Sequence, residues 1–174
     1  MRTPIQPIVS LTEVLKSKAE DREQLRLLDI TSRNARRLLH LADDILDVTR
    51  IESNSLQLNK ERFDLSELIS NTVQDFRNEI RKAGSGANIE LSYTSECKDA
   101  VVEADRNRLV QVISNLLSNA VKFTKKGFIS VTLEKKQDSG EFIVRIRDSG
   151  IGIDKEIVPR LFEKFASSLL KGLA

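Results

Sequence analysis

The chain has 174 residues, 40% hydrophobic and 31% charged, a composition typical of a soluble protein with room for one compact domain and a helical appendage. A formal net charge of +2 favours neither nucleic acid nor a membrane surface as partner. No apolar run approaches the roughly 20 residues that span a bilayer, no signal peptide opens the chain, and the single cysteine, Cys97, excludes an internal disulfide, so we expect a cytoplasmic protein.

Two heptad-patterned helices are predicted at the N-terminal end. Apolar and small residues alternate at spacings of three and four, first at Ile5, Ile8, Thr12, Leu15 and Ala19. After a break near residues 20–23, the same spacing resumes at Leu25, Leu28, Ser32, Ala35, Leu39, Ala42, Leu46 and Thr49. An antiparallel hairpin of two helices has too little core to be stable alone. We therefore expect a homodimer through residues 5–50, paired as a four-helix bundle.

A second domain is predicted after the hairpin, with residues 1–53 in the first and 54–174 in the second. Leu56 and Leu58 alternate as in a short strand, and Asp64 or Ser66 can cap a helix that runs to about Lys82. The other predicted elements are one helix and four strands, at 105–124 and at 89–93, 101–102, 128–135 and 141–148. The last two strands should form an antiparallel hairpin. Helices on one face of a mixed sheet give an α/β sandwich, so the predicted fold class is α+β.

The predicted helix at residues 105–124 carries the first candidate site. Its apolar face is predicted to consist of Leu109, Val112, Ile113, Leu116 and Ala120. An adjoining face presents Asn115, Asn119 and Lys122. Carboxamide oxygens are hard ligands that suit a magnesium ion carried by a polyphosphate, and a lysine suits the phosphates themselves. The alternative is an ordinary amphipathic helix with solvated asparagines.

The second candidate site follows the last predicted strand. Asp148 ends this strand, and Gly150 and Gly152 come directly after it. A carboxylate in this position can accept a hydrogen bond from an exocyclic amine, while glycines let a flat ring approach the backbone closely. This combination suits adenine, and a simple glycine turn between strands is the alternative.

Three segments in the same order resemble the motifs of sensor histidine kinases of two-component systems. Residues 115–124, NLLSNAVKFT, resemble the N box, residues 148–153, DSGIGI, the first glycine box, and residues 161–165, LFEKF, the F box. Met1-Arg2-Thr3-Pro4 resembles the end of the H box of that family. The resemblance implies a dimerisation and phosphoacceptor hairpin, followed by an ATP-binding catalytic domain of the histidine kinase and Hsp90 type.

The resemblance also implies ATP and Mg2+ as cofactors and gives roles to the candidate residues. Asp148 would accept from the adenine amine, Gly150 and Gly152 would let the backbone close on the nucleotide, and Asn119 would ligate magnesium. Lys122 would neutralise phosphate charge. Phe123 would line the adenine or ribose side.

Asn115 stands where relatives that hydrolyse ATP carry a glutamate base. An amide cannot accept a proton from water near neutral pH, so Asn115 can orient groups but not activate water. This favours phosphoryl transfer over ATP hydrolysis. Thr3 matches a position at which the family aligns water for its phosphatase activity, and a plain first-turn helix residue is the alternative.

The function that the resemblance implies is ATP-dependent phosphorylation of a histidine on the dimerisation helix, followed by transfer to an aspartate of a response regulator receiver domain. In the family that histidine precedes Arg-Thr-Pro by three positions, which places it before Met1. A second glycine-rich box is represented at most by Gly172. We therefore expect a core fragment that is truncated at both ends and is impaired or inactive by itself. Its parent kinase can be either free or attached to a membrane. The alternative is a non-catalytic dimerising module that binds a response regulator or a full-length kinase.

Overall fold

The computed structural model describes residues 5–19, 21–82, 88–97 and 99–161. The chain divides into two compact units, residues 1–57 and residues 58–174. The first unit contains two helices, α1 (Ile5–Lys18) and α2 (Arg22–Glu52). The second contains, in chain order, β1 (Glu61–Asp64), α3 (Leu65–Lys82), β2 (Ile89–Ser95), β3 (Val101–Ala104), α4 (Arg106–Phe123), β4 (Gly127–Lys135), β5 (Phe142–Asp148) and a 3-10 turn (Val158–Arg160). The predicted order, a helical hairpin followed by an α/β unit, is confirmed.

The helices α1 and α2 pack along a narrow antiparallel seam of small side chains. Thr12, Ser32 and Ala35 are buried there, and the α2 positions predicted from the heptad are half-buried on either side, at Leu25, Leu28, Leu39, Ala42 and Leu46. The heptad predicted for α2 is therefore confirmed from Leu25 to Leu46, whereas Thr49, its last predicted position, is exposed.

In α1 the predicted seam is displaced. Ile8 and Leu15 are exposed, whereas Val9 and Lys16 are half-buried. Lys16 replaces Leu15 as the half-buried position, and its Nζ reaches Asp29 of α2 at 2.7 Å. Glu13 reinforces this register, since one of its carboxylate oxygens accepts from Ser32 Oγ at 3.1 Å and from Arg36 Nη2 at 2.8 Å.

The C-terminal end of α2 is closed by a complete Schellman motif. Ser53 is the C-cap, and Asn54 adopts a left-handed conformation with φ of 49°. The Asn54 amide donates to the Ile51 carbonyl at 3.1 Å and the Ser55 amide to the Arg50 carbonyl at 2.9 Å. The strand predicted at Leu56 and Leu58 is wrong, because this stretch belongs to no strand and pairing begins only at Glu61.

The described strands of the second unit form two small sheets. The strands β2, β4 and β5 form a mixed sheet in that order, with β2 parallel and β5 antiparallel to the central β4. The strands β1 and β3 form a separate antiparallel pair. Asp64 caps α3, as predicted, by accepting from the amides of Ser66 and Glu67 at 2.7 and 3.1 Å. The predicted β4–β5 hairpin is likewise confirmed.

The core of this unit lies between α3, α4 and one face of the mixed sheet. Alternate residues of the central strand point into it and are fully buried, namely Ile129, Val131 and Leu133. The helix α3 contributes Leu65, Leu68, Ile69, Val73 and Ile80. The helix α4 contributes Ile113, Leu117 and Ala120. Within the described residues, no helix combines the length and apolar character needed to cross a lipid bilayer.

The buried face of α4 differs from the predicted one. Val112 and Leu116 are 54% and 50% exposed, whereas Leu117 is 0% exposed. Apolar residues cover about half of the helix circumference, which is wide enough that the hydrophobic pattern allowed two adjacent phases. The sheet selects the phase that places Ile113, Leu117 and Ala120 against its inward-facing side chains.

The observed orientation of α4 predicts losses of stability of very different size at two neighbouring leucines. Leu117→Ala should lower the free energy of unfolding by about 2–5 kcal/mol, because it empties a fully buried site, whereas Leu116→Ala should cost less than about 1 kcal/mol. Tyr93 of β2 is the only tyrosine and no tryptophan is present, so intrinsic fluorescence during urea unfolding reports on the second unit alone. Equal losses for the two variants would contradict the observed phase of α4.

Candidate functional site

The helix α4 presents a polar face to solvent along its second half. Asn115 and Asn119 are both exposed and lie one turn apart, and Lys122 is exposed on the same side. The structure therefore places the three predicted side chains together. The N-cap of the helix is Asp105, whose carboxylate accepts from the Arg108 amide at 3.1 Å, and its C-cap is Thr124, whose amide donates to the Ala120 carbonyl.

The loop after β5 is shaped by its first carboxylate. Oδ1 of Asp148 accepts from the Gly150 amide at 2.8 Å, which folds the chain back in a tight turn. Asp148 is exposed, and a carboxylate has about four lone-pair positions, so it can also accept from an amine of a ligand. Gly152, farther along, has φ of 75°, a backbone conformation that glycine adopts without strain.

A backbone contact joins this loop to the C-terminal end of α4. The Ile151 amide donates to the Phe123 carbonyl at 3.3 Å, and a Cβ atom at Gly150 would lie 2.6 Å from that same carbonyl oxygen. Glycine is therefore required at position 150 by the approach of α4 itself. The contact therefore brings the loop that carries Asp148, which is remote in the sequence, to the C-terminal end of α4.

Phe123 connects the two candidate segments through its side chain as well as its carbonyl. Its ring is half-buried, and Nζ of Lys122 lies 4.8 Å from the ring centroid. This is within the range of a cation–π interaction, so the ring restrains the lysine near the end of the helix. The positive charge therefore lies at the end of the helix whose last carbonyl contacts the glycine loop.

Two residues that support the loop were not singled out from the sequence. Oγ of Ser149 accepts from the Phe128 amide at 2.9 Å, and the Ser149 amide donates to the Phe128 carbonyl at 3.0 Å. Gly127 has φ of 126°, and a Cβ atom there would lie 2.1 Å from Ser149 Oγ. These contacts fix the loop to the start of β4. The sequence offered two signals for this support, namely the serine between Asp148 and Gly150 and the glycine that opens β4.

The donor set suits a metal that arrives with a polyphosphate. Among the residues that the structure describes, no group of three or more His, Cys, Asp or Glu side chains could hold a metal ion. Asn115 and Asn119 supply neutral amide oxygens, which complement Mg2+ whose charge is largely balanced by phosphate. Both side chains are exposed on one face of α4, so they fit such an ion.

Several sequence predictions fall outside the described residues. Met1 to Pro4, including Thr3, lie before the first described residue. Within residues 161–165 only Leu161 is described, and Phe162 and Phe165 are not. Gly172 is likewise outside. The site that the structure describes consists of Asn115, Asn119, Lys122, Phe123, Asp148, Gly150 and Gly152.

The contact at Gly150 generates a paired prediction. Gly150→Ala should destabilise the second unit by more than about 1 kcal/mol and displace the loop, because the added methyl group meets the Phe123 carbonyl. Gly140→Ala, in the β4–β5 turn, is the matched control, since its φ of 69° strains alanine while nothing lies within 4 Å of the new Cβ. Amide chemical shifts of Phe123 and Ile151 should change only in the first variant. An unchanged spectrum there would contradict the contact.

Two family models match the chain, on either side of residues 55–103. Residues 1–54 match the His Kinase A (phospho-acceptor) domain. Residues 104–173 match the histidine kinase-, DNA gyrase B- and HSP90-like ATPase family. The second match includes every residue of the described site.

Curated relatives are similar over almost the whole chain. Hybrid signal transduction histidine kinase L of Dictyostelium discoideum is 33% identical over 97% of this chain and 10% of its own length. The sensory/regulatory protein RpfC of Xanthomonas campestris pv. campestris is 34% identical over 94% of this chain and 23% of its own length. The chain thus spans about a quarter or less of these relatives.

Solved structures share the architecture. Full-length ShkA in complex with AMPPNP is similar in fold, with a TM-score of 0.73, 24% identity and coverage of 96% of this chain and 35% of that one. Histidine kinase ThkA in complex with the response regulator TrrA gives a TM-score of 0.62 and 30% identity, over 94% of this chain and 47% of that one. The catalytic domain of ThkA is 32% identical, with a TM-score of 0.55, over 64% of this chain and 74% of that domain. The chain therefore belongs to the histidine kinase family.

Proposed function

We propose that this chain is the dimerisation and ATP-binding core of a sensor histidine kinase, which phosphorylates a histidine and passes the phosphoryl group to a response regulator. The observation that carries the proposal is the contact between the Phe123 carbonyl and the Gly150–Ile151 backbone. This contact supports the proposal because it joins the loop that carries Asp148 to the end of the helix whose exposed face carries two amides and a lysine. Neither segment alone forms a nucleotide site.

Each residue has a distinct task in this proposal. Asp148 accepts from the adenine amine and selects adenine over bases that lack a donor there. Asn119 would hold Mg2+, which would neutralise charge on the phosphates, while Asn115, one turn before it, would orient them. Lys122 adds a positive charge at the same end of α4, and Phe123 both restrains this lysine and offers an apolar edge to the base or ribose.

The reaction supported by this arrangement is phosphoryl transfer, not hydrolysis. Within the described site no carboxylate lies on the Asn face of α4, where Asn115 and Asn119 occupy successive turns. An amide orients an oxygen but does not remove its proton. Catalysis would therefore come from positioning and charge neutralisation, with the nucleophile supplied by a histidine.

Nucleotide recognition is tested by calorimetric titration of the protein with a non-hydrolysable ATP analogue and Mg2+. Asp148→Asn should weaken binding by about 10- to 100-fold, because the amide group that replaces one carboxylate oxygen meets the adenine amine donor to donor. Asp138→Asn, an equivalent change in the exposed turn between β4 and β5, is the control and should leave affinity unchanged. No saturable binding by the folded protein would refute the nucleotide site and favour a dimerising, partner-binding module.

The homodimer is supported by a second apolar stripe on α2. Leu27, Leu38, Leu41, Ile45 and Val48 are all exposed, in contrast to the seam that packs on α1. From Leu38 to Val48 the spacing alternates between three and four, so these four residues form one continuous face, and Leu27 lies in the same phase farther toward the N-terminus. A single hairpin leaves this face in water, whereas two copies bury it in a four-helix bundle. The complex of ThkA with TrrA supports a response regulator receiver domain as the further partner.

A charge placed on this stripe should separate the subunits. Ile45 is 66% exposed, so Ile45→Glu should leave the hairpin folded but place a carboxylate in the bundle core, raising the dissociation constant by at least about 100-fold. Arg33→Glu, on another face of α2, introduces the same side chain as a control. Sedimentation equilibrium measures the dissociation constant of each variant. A dimer that survives Ile45→Glu unchanged would exclude this face as the interface.

A further inference from the structure

The segment between the two units is bounded by a defined structure at each end. On its N-terminal side, the Schellman motif orders the chain through Ser55, whose amide donates to Arg50 and whose hydroxyl lies 2.7 Å from that of Ser53. On its C-terminal side, the Asn59 amide donates to Oδ2 of Asp105 at 3.0 Å. Only Leu56, Gln57 and Leu58 lie between these two anchors, and they belong to no helix or strand.

Asp105 serves two partners with its two carboxylate oxygens. Oδ1 caps α4 by accepting from the Arg108 amide at 3.1 Å, while Oδ2 accepts from Asn59, which is 46 positions away in sequence. The amides of Arg108 and then Asn59 hold the pKa of this carboxyl below its ordinary value, so the charged form that both hydrogen bonds require is favoured. One side chain thus ties the incoming chain to the first turn of the helix that carries Asn115 and Asn119.

We infer that Asp105 is a positioning residue that clasps the incoming chain to α4 and thereby confines the hinge between the two units to Leu56–Leu58. Phosphoryl transfer between the units requires the histidine and the nucleotide to meet. A shorter connection that is anchored at both ends limits the range of positions that each unit can sample, and so affects how often they meet. The consequence for phosphoryl transfer rests on the proposed function. The clasp itself rests on hydrogen bonds within the second unit.

A matched pair of cap substitutions tests the clasp. Asp64 caps α3 with a single carboxylate oxygen that accepts from Ser66 and Glu67, and it offers no contact to Asn59. Asp105→Ser and Asp64→Ser both keep a hydroxyl that can cap the helix and both remove the second oxygen. Asp105→Asn is a further variant, since it keeps one capping oxygen but turns a donor group toward the Asn59 amide.

The first readout is hydrogen exchange at the Asn59 amide, and the second is tryptic cleavage after Lys60, the next residue. In Asp105→Ser and Asp105→Asn, exchange at Asn59 should be at least about tenfold faster and cleavage after Lys60 should increase by a similar factor. Affinity for the ATP analogue should stay within about twofold, because α4 remains capped and its polar face is intact. Asp64→Ser should leave Asn59 and Lys60 unaffected.

Unchanged exchange at Asn59 in both Asp105 variants would overturn the inference. Equal acceleration in Asp64→Ser would also overturn it, because the effect would then reflect general loosening of the unit. Failure of the unaltered protein to bind the analogue would instead overturn the proposed function. The comparison of Asn59 exchange between the Asp105 and Asp64 variants would still decide the clasp.

Discussion

The site depends on a single backbone contact, in which the last carbonyl of α4 meets the glycine loop that follows β5. A helix C-terminus normally leaves its final carbonyls without intrahelical partners, and here the Ile151 amide satisfies the one at Phe123. The approach is close enough that position 150 has no space for a side chain. Ser149 and Gly127 hold the other side of the loop against β4. The helix, the loop and the strand therefore hold one another in place, and they carry the candidate ligand-binding groups.

The division of α4 into a buried and an open face links stability to function in one element. Leu117 and Ile113 anchor the helix to the sheet, so Asn115 and Asn119 are presented on a support that does not depend on the ligand. The exposed Val112 and Leu116 lie on the flank of the helix between these two faces. Burial on one side thus sets the direction in which the amides point on the other.

Periodicity predicted the order and type of most elements, because alternation and heptad spacing depend only on residues close in sequence. It failed where several phases were equally apolar, as at Leu116 and Leu117, and where a polar side chain supplied the packing, as at Lys16. The polar face of α4 and the Asp148 turn were predicted from helical spacing and strand-end chemistry, and the motifs then gave them roles, but no periodicity indicated that Phe123 and Gly150 touch. That contact joins separate elements through backbone atoms, which carry no sequence signal except the glycine itself. Thr3 lies outside the described residues, so its role stays a prediction.

The rigidity of α4 also restricts how its sequence can change over evolution. Each residue added to or removed from an α-helix turns everything beyond it by about 100°. A single deletion between Asn115 and Ala120 would therefore rotate either the core residues or the amides out of place, and no local adjustment could restore both. Substitutions on the exposed positions leave this phase intact. Homologous helices should thus vary at exposed positions outside the candidate site while keeping the number of residues between the positions of Asn115 and Thr124.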